Sequence, residues 1–200
     1  PSFGAFQRAA LDAHDTVLVA GAGPVGLGAV NNAVFCGART IVAESVPYRS
    51  ELARELGADL VVDPTDDTCL GEILEATRGD GVSVAIDCSG NPSGQRLCLD
   101  AVGVLGRVAF VGLSERDLTV RGDRDFLYKG ATVFGSWHYN LGDFSSLIDM
   151  LRRMPEVSRM VTHHFAMDDI AQAFDLALSR QSGKILLYPW GVPDEDRTPK

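Results

Sequence analysis

The sequence predicts an α/β fold: a doubly wound, six-stranded parallel sheet with a carboxyl-terminal helix–strand appendage. Three observations carry that expectation. Short apolar runs alternate with segments of helical period, prolines open several of those segments, and a glycine-rich turn links the first apolar run to the first long helix. The strands read as Thr16–Ala20, Thr40–Ala43, Leu60–Val62, Val82–Asp87, Arg107–Gly112 and Ala131–Phe134. Strands covered on both faces read as unbroken apolar runs, and these do. The intervening helices read as Pro24–Cys36, Pro47–Leu56, Leu70–Thr77 and Pro92–Val104. Pro24, Pro47 and Pro92 each stand at a first helical position, where the missing N–H would have had no partner. A short amphipathic helix, Phe3–Leu11, feeds the first strand. After Gly135 the pattern changes to two helical segments, Phe144–Arg153 and Met167–Ser179, a last strand at Lys184–Pro189, and a polar tail, Gly191–Lys200, expected to be flexible.

Bulk properties narrow the function classes. A net charge of −9 leaves no basic face for nucleic acid. No apolar run reaches the roughly 20 residues of a membrane span, and the first ten residues show no secretory signal. Cys36, Cys69, Cys88 and Cys98 show neither a CxxC pair nor zinc-site spacing, which points to free thiols in a reducing cytoplasm. The start at Pro1 rather than Met points to a fragment, a processed chain or a trimmed polypeptide.

The chemistry is concentrated in TVLVAGAGPVG, residues 16–26. A buried strand runs into Gly21-x-Gly23-x-x-Gly26 and a helix follows. In such a turn the first glycine bends the chain, the second admits a pyrophosphate against the backbone, and the third lets helix and sheet pack closely. Free N–H groups and the dipole at the start of the helix, which opens with Pro24 and Val25, then face the phosphates, Pro24 itself having no N–H to offer. The next strand ends at Glu44, placed to accept hydrogen bonds from adenosine ribose hydroxyls. A carboxylate there repels a 2′-phosphate by about 1 to 4 kcal/mol in a partly solvated site, which favours NAD over NADP. Arg49 is the counterweight, since its guanidinium would suit a 2′-phosphate if the loop bent toward it. Together these are the marks of a Rossmann dinucleotide-binding domain. The rival readings are a tight structural turn with a surface acid, or a glycine loop serving another nucleotide-like ligand such as S-adenosylmethionine.

Further motifs run nearly the whole length: FGAFQRAAL, VLVAGAGPVGL, ELARELGADLVVDP, VSVAIDCSGNP, LGRVAFVGL, KGATVFGS and DDIAQAFDLALSRQSGKILLYP. As a set they resemble the coenzyme-binding half of the medium-chain dehydrogenase/reductase superfamily, in its zinc-dependent alcohol and polyol dehydrogenase branch. The resemblance implies that Val25 touches the nicotinamide side and that Cys88, Ser89 and Gly90 line the groove near the ribose. It implies that Val111, Gly112 and Leu113 flank the nicotinamide and that backbone near Thr132 and Phe134 bonds its carboxamide. Plain core packing is the competing role for each apolar residue in that set. It also implies a domain division: residues 1–136 hold NAD, residues 137–190 return to a catalytic domain, and 191–200 form the tail. That catalytic domain, with its Gly-His-Glu motif, cysteine ligands and zinc, is absent here, so the chain carries no catalytic or metal residue of its own and would be inactive alone. The reaction implied is hydride transfer between nicotinamide and a zinc-bound alcohol, polyol or sugar, with an alcohol or carbonyl substrate. A homodimer or homotetramer follows, with Leu118–Val120 pairing across a two-fold axis. A metal-free NAD(P)H reductase of the same superfamily and a stand-alone dinucleotide-binding module are the alternatives.

Four other signals are weaker. His163 and His164, adjacent on a strand, point to opposite faces and cannot share a metal. His138, in the Trp137–Asn140 run, would face either the substrate cleft or the hinge. His14 reads as a turn residue and Asp87 as a structural carboxylate. There is no Tyr-x-x-x-Lys pair, no GxSxG elbow and no Walker lysine.

Overall fold

The computed structural model describes residues 1–138 and 140–196, Glu195 by its backbone alone; Tyr139, within the Trp137–Asn140 run, and 197–200, the end of the predicted tail, lie outside the described residues. The strands are β1 (Thr16–Ala20), β2 (Arg39–Ala43), β3 (Leu60–Val62), β4 (Val82–Asp87), β5 (Val102–Phe110) and β6 (Thr132–Gly135). They form one sheet in the order β3-β2-β1-β4-β5-β6, every pairing parallel. The order reverses between β1 and β4, and in open α/β sheets that switch point, at the carboxyl ends of the strands, opens a crevice for ligands.

Alternation along β1 explains the two-sided core. Val17 and Val19 point to one face, with Leu27, Val30 and Ala33 of α2 (Pro24–Phe35) and Leu52 of α3 (Pro47–Glu55). Leu18 and Ala20 point to the other, with Ile73 of α4 (Cys69–Ala76) and Cys98 and Leu99 of α5 (Pro92–Ala101). Strands this apolar have no solvent face, which is why the parallel sheet needs helices on both sides. The leading helix α1 (Ser2–Ala9) packs Ala5, Phe6 and Ala9 into the first cluster.

Several predicted boundaries shift. The helix expected to reach Val104 stops at Ala101, and β5 begins at Val102 rather than Arg107. The register slips between Val82 and Val84, so β5 pairs at Val82↔Val102 and resumes at Val84↔Arg107. That bulge hides the early start from a period-2 reading. The leading helix ends two residues sooner than expected, at Ala9, where Ala10 turns left-handed (φ 49°). The predicted helix from Met167 opens instead as a tight turn, Met167–Asp169, before α7 (Ile170–Ser179). Beyond the sheet lie α6 (Phe144–Arg153) and a parallel strand pair, β7 (Val161–Ala166) and β8 (Lys184–Tyr188). On β7 the histidines take separate partners, His163 Nδ1 with Thr162 Oγ1 (2.9 Å) and His164 Nδ1 with Tyr188 OH (2.9 Å). Asp196, in the predicted tail, accepts a hydrogen bond from Tyr188 OH (2.7 Å).

Two ion pairs, Arg96–Asp125 and Arg124–Asp100 (3.0 Å), tie the segment before β6 to α5. Arg96 grips the buried Asp125 at both oxygens, 2.7 Å from Nη2 and 2.9 Å from Nη1, and the Arg121 N–H adds a third bond at 2.7 Å. The guanidinium holds the Asp125 carboxyl down at about 2, below its ordinary 3.8. A folded-state value below the unfolded one adds stability above pH 4 that is lost as pH falls toward 2. Urea unfolding at pH 7 and pH 2.5 should therefore show a smaller acid loss in Asp125→Asn than in wild type.

Candidate functional site

Two cavities open at the carboxyl ends of the strands, on either side of the Ser89–Gln95 segment. The first, about 470 Å³, is lined by Gly21 and Gly23 after β1, Glu44, Ser45 and Arg49 after β2, Pro64 and Thr65 after β3, and Cys88, Ser89, Asn91, Ser93 and Gly94 after β4. Leu97 and Arg180 complete its wall. The second, about 450 Å³, is bounded by Gln95 and by Phe110, Val111, Gly112, Leu113, Ser114, Gly135, Ser136 and Trp137.

The glycine turn is built by contacts that a side chain would destroy. Gly21 has φ +91°, a left-handed value, and its N–H donates to Ala43 O at 2.8 Å, tying the turn to β2. At Gly26 a methyl group would stand 1.8 Å from Gly21 O, so the helix meets the turn backbone to backbone. Gly23 differs. A methyl group there would meet only Arg49 Nη1, at 3.8 Å, because that side of Gly23 faces the cavity. Gly23 also caps α2, accepting from the Leu27 N–H at 2.8 Å, and Pro24 takes the first helical position as expected. Pro24 and Val25 are exposed on the first turn and line neither cavity. The unpaired amides of this turn and the helix dipole make an anion cradle.

Glu44 is buried at the cavity wall, and each of its oxygens already accepts a backbone N–H: Ala22 to Oε2 at 2.7 Å and Val46 to Oε1 at 2.9 Å. A carboxylate has about four acceptor positions, so two remain for a diol. The same bonds fix its orientation and brace the glycine turn from beneath. Ser50 Oγ donates to Glu44 O at 3.2 Å and closes the loop onto α3. Arg49 is half-buried, its Nε donating to Ser182 O at 3.1 Å. Burial pulls its pKa down and the Glu44 charge pulls it up, while Arg180 adds to the downward pull.

Asp87, at the end of β4, is fully buried. Its Oδ1 accepts from Ser89 Oγ (2.6 Å) and Ser89 N (3.0 Å), while Oδ2 closes no hydrogen bond. Burial raises its pKa, opposed mainly by the Ser89 hydrogen bonds. The Asp87 carbonyl accepts from Val111 N (3.0 Å) and Gly112 N (2.9 Å), so Asp87 braces both loops that separate the cavities. Gly90 and Gly112 meet there: a methyl group on Gly112 would lie 2.2 Å from Gly90 N.

The first cavity thus gathers Gly21, Gly23, Glu44, Arg49, Cys88 and Ser89, and the second gathers Val111, Gly112 and Leu113. Gly26 and Gly90 support these walls without lining them. Thr132 lies at the start of β6 opposite Arg107, at the far end of the strand, and Phe134 packs into the core. Gly135, Ser136 and Trp137 line the second cavity in their place. Pro64, Thr65, Asn91, Ser93 and Gly94 were not foreseen, although each follows the carboxyl end of a strand, the position the general rule marks. His138 (φ 60°) lines a third cavity of about 520 Å³ with Gln7, Arg8, Ser136 and Trp137, the last two of which also line the second. Among the described residues no group of three or more His, Cys, Asp or Glu is arranged to hold a metal. No helix of the described residues is long and apolar enough to cross a membrane.

The order of the sheet, the glycine cradle and the acid after β2 set the chain beside known proteins. Residues 24–153 match the family model described as zinc-binding dehydrogenase. The chain belongs to that family. It is 31% identical over 175 residues to L-threonine 3-dehydrogenase of Chromobacterium violaceum, covering 86% of this chain and 51% of that protein. Among solved structures, 2R,3R-butanediol dehydrogenase of Bacillus subtilis superposes with a TM-score of 0.83 at 30% identity, over 94% of this chain and 55% of that one. An alcohol dehydrogenase of E. coli CFT073, solved with the cofactor NADH, gives 0.82 at 28% identity, over 93% and 56%. The zinc-binding dehydrogenase chain described here therefore spans about half the length of the relatives it matches, in their carboxyl-terminal half.

Proposed function

We propose that this chain is the NAD(H)-binding part of a zinc-dependent dehydrogenase acting on an alcohol, polyol or sugar. The observation that carries the reading is the Gly23 cradle, a cavity-facing backbone at a helix amino terminus with Glu44 fixed beside it. Residues 1–136 form the coenzyme domain, 137–190 return toward a catalytic domain, and 191–200 are the tail. Gly21, Gly23 and Gly26 shape the cradle in which the free N–H groups at the start of α2 hold the diphosphate, with Pro24 opening the helix and Val25 turned toward the nicotinamide side. Glu44 takes the adenosine ribose hydroxyls, and Arg49 closes over the phosphate side. Cys88, Ser89 and Gly90 line the groove toward the nicotinamide ribose. Val111, Gly112 and Leu113 flank the ring, with backbone at the carboxyl end of β6, just beyond Phe134, serving its carboxamide. When bound, the coenzyme supplies the hydride acceptor or donor. The residues of this chain bind it, orient it and keep one face of its ring against the Val111–Leu113 wall.

Zinc does not fit the described residues. Cys69 and Cys98 are buried in the core, and burial raises the thiol pKa of Cys69 to about 11, disfavouring the thiolate a metal needs. Any zinc belongs to residues outside this chain, and no step of the reaction is assigned to it here. The same reading proposes a cytoplasmic homodimer or homotetramer pairing through Leu118–Val120, with a small alcohol or carbonyl compound as substrate.

A fluorescence titration tests the coenzyme reading. NADH emission should rise on binding and saturate, and NADPH should bind at least tenfold more weakly, about 1.4 kcal/mol of charge repulsion from Glu44. Equal affinity for the two coenzymes would remove the role given to Glu44.

A further inference from the structure

The coenzyme cavity has one wall that the sheet does not supply. Arg180 follows α7 as its C-cap in a left-handed conformation, φ 62°, a position that ordinarily goes to glycine. Its chain lies in the appendage, more than forty residues beyond the last strand of the sheet, yet its side chain lines the cavity with Gly23, Glu44 and Arg49. The link is Arg49, whose Nε donates to Ser182 O and so fastens the α7–β8 connection against α3.

The electrostatics of this corner are incomplete as they stand. Two guanidinium groups share one cavity, near enough that the charge of Arg180 acts on Arg49. Among the described residues Arg180 has no side-chain hydrogen bond and no ion-pair partner, although the chain as a whole carries a net charge of −9. The single carboxylate on the cavity wall is Glu44, and its two oxygens already accept N–H groups from Ala22 and Val46. Two cations on the wall of one cavity, Arg180 exposed and unpaired among the described residues and the local acid engaged elsewhere, match an anion placed between them. The position of Arg49 says which one. Its Nη1 lies 3.8 Å from the point where a Gly23 side chain would begin, over the bare amides at the start of α2.

We propose that Arg180 is a second diphosphate-binding residue, acting with Arg49 across the mouth of the Gly23 cradle. The inference rests on the coenzyme reading given above. It assigns a ligand contact to the appendage, so that a residue 154 positions beyond Gly26 completes the site begun by the glycine turn.

Arg180→Gly is the informative variant, because glycine accepts the left-handed C-cap and the fold should be kept or slightly stabilised. Thermal unfolding provides that control. Calorimetric titrations with NADH, NADPH, ADP and adenosine then separate the contacts. Loss of one charge-assisted contact should weaken NADH, NADPH and ADP alike by roughly 5- to 30-fold and leave adenosine within about twofold. The wild-type affinity for ADP should also fall more steeply with salt than that of the variant. Unchanged NADH and ADP affinities in Arg180→Gly would overturn the proposal while leaving the coenzyme reading intact. A loss confined to NADPH would place Arg180 at the 2′-phosphate and overturn the diphosphate assignment. Failure of the folded wild type to bind any of the four ligands would overturn both.

Discussion

Gly26→Ala should lose NADH binding by more than about 100-fold and cost roughly 3 kcal/mol of folding stability, the cost of forcing a methyl group into a filled space. The added carbon would stand 1.8 Å from Gly21 O and 2.8 Å from Gly21 C, both backbone atoms that cannot rotate away. Relief requires α2 to back off the sheet or the Gly21 peptide to turn. Turning that peptide swings the Ala22 N–H away from Glu44 Oε2, and either movement misaligns the amides of the cradle. Gly28, two residues further along the same helix, is the internal control. A methyl group there meets only Ser2 Oγ, at 3.5 Å, an ordinary contact. Gly28→Ala should therefore leave binding intact and match or exceed wild-type stability, by up to about 1 kcal/mol of helix propensity. Urea unfolding and NADH titration of the two variants check the pair, and equal behaviour of Gly26→Ala and Gly28→Ala would contradict the account.

Glu44→Ala should separate two functions of one carboxylate. The first is structural: the N–H groups of Ala22 and Val46 lose their acceptor, and Ala22 is fully buried. Orphaning one or two such donors costs about 2 to 4 kcal/mol. The second is recognition, since the ribose diol loses its acceptor and NADH should weaken roughly 10- to 100-fold. NADPH should weaken less, because removal of the negative charge also removes the repulsion of its 2′-phosphate, and Arg49 remains beside the site. Glu44→Gln keeps the shape and removes the charge, although its NH2 then faces one of the two N–H donors, Ala22 or Val46. The ratio of NADH to NADPH affinity should fall at least tenfold in both variants, and an unchanged ratio would remove Glu44 from coenzyme discrimination.

How far the sequence foretold this molecule depends on the distance over which each feature is encoded. The glycine turn was legible because its determinants are local: Gly21, Gly23 and Gly26 lie on one strand–helix junction, where Gly21 takes a positive φ and Gly26 meets the Gly21 carbonyl. The two-sided apolar strands likewise showed the parallel sheet directly. The early start of β5 was hidden by the register slip between Val82 and Val84, which breaks the period that a linear reading follows. Glu44 is expected from the sequence as a ribose acceptor, but its grip on Ala22 and Val46 is not, because a buried carboxylate's partners depend on how two loops close in space. Thr132 and Phe134 were placed by resemblance at the nicotinamide, whereas the cavity wall falls on Gly135, Ser136 and Trp137. Arg180 was invisible for the strongest reason. Its relation to Gly23 spans the whole domain and passes through Arg49 and Ser182, a contact no local pattern reports.

Gly23→Ala tests the central claim most directly, because the structure allows the methyl group and only a ligand would object to it. Its nearest neighbour would be Arg49 Nη1 at 3.8 Å, so unfolding curves should match those of wild type. Calorimetric titration of NADH should give saturable one-site binding to the wild-type chain and at least a 30-fold weaker affinity, about 2 kcal/mol, in the variant, since the diphosphate needs that space against the amides. Wild-type affinity in a properly folded Gly23→Ala protein would mean that no diphosphate rests on this turn.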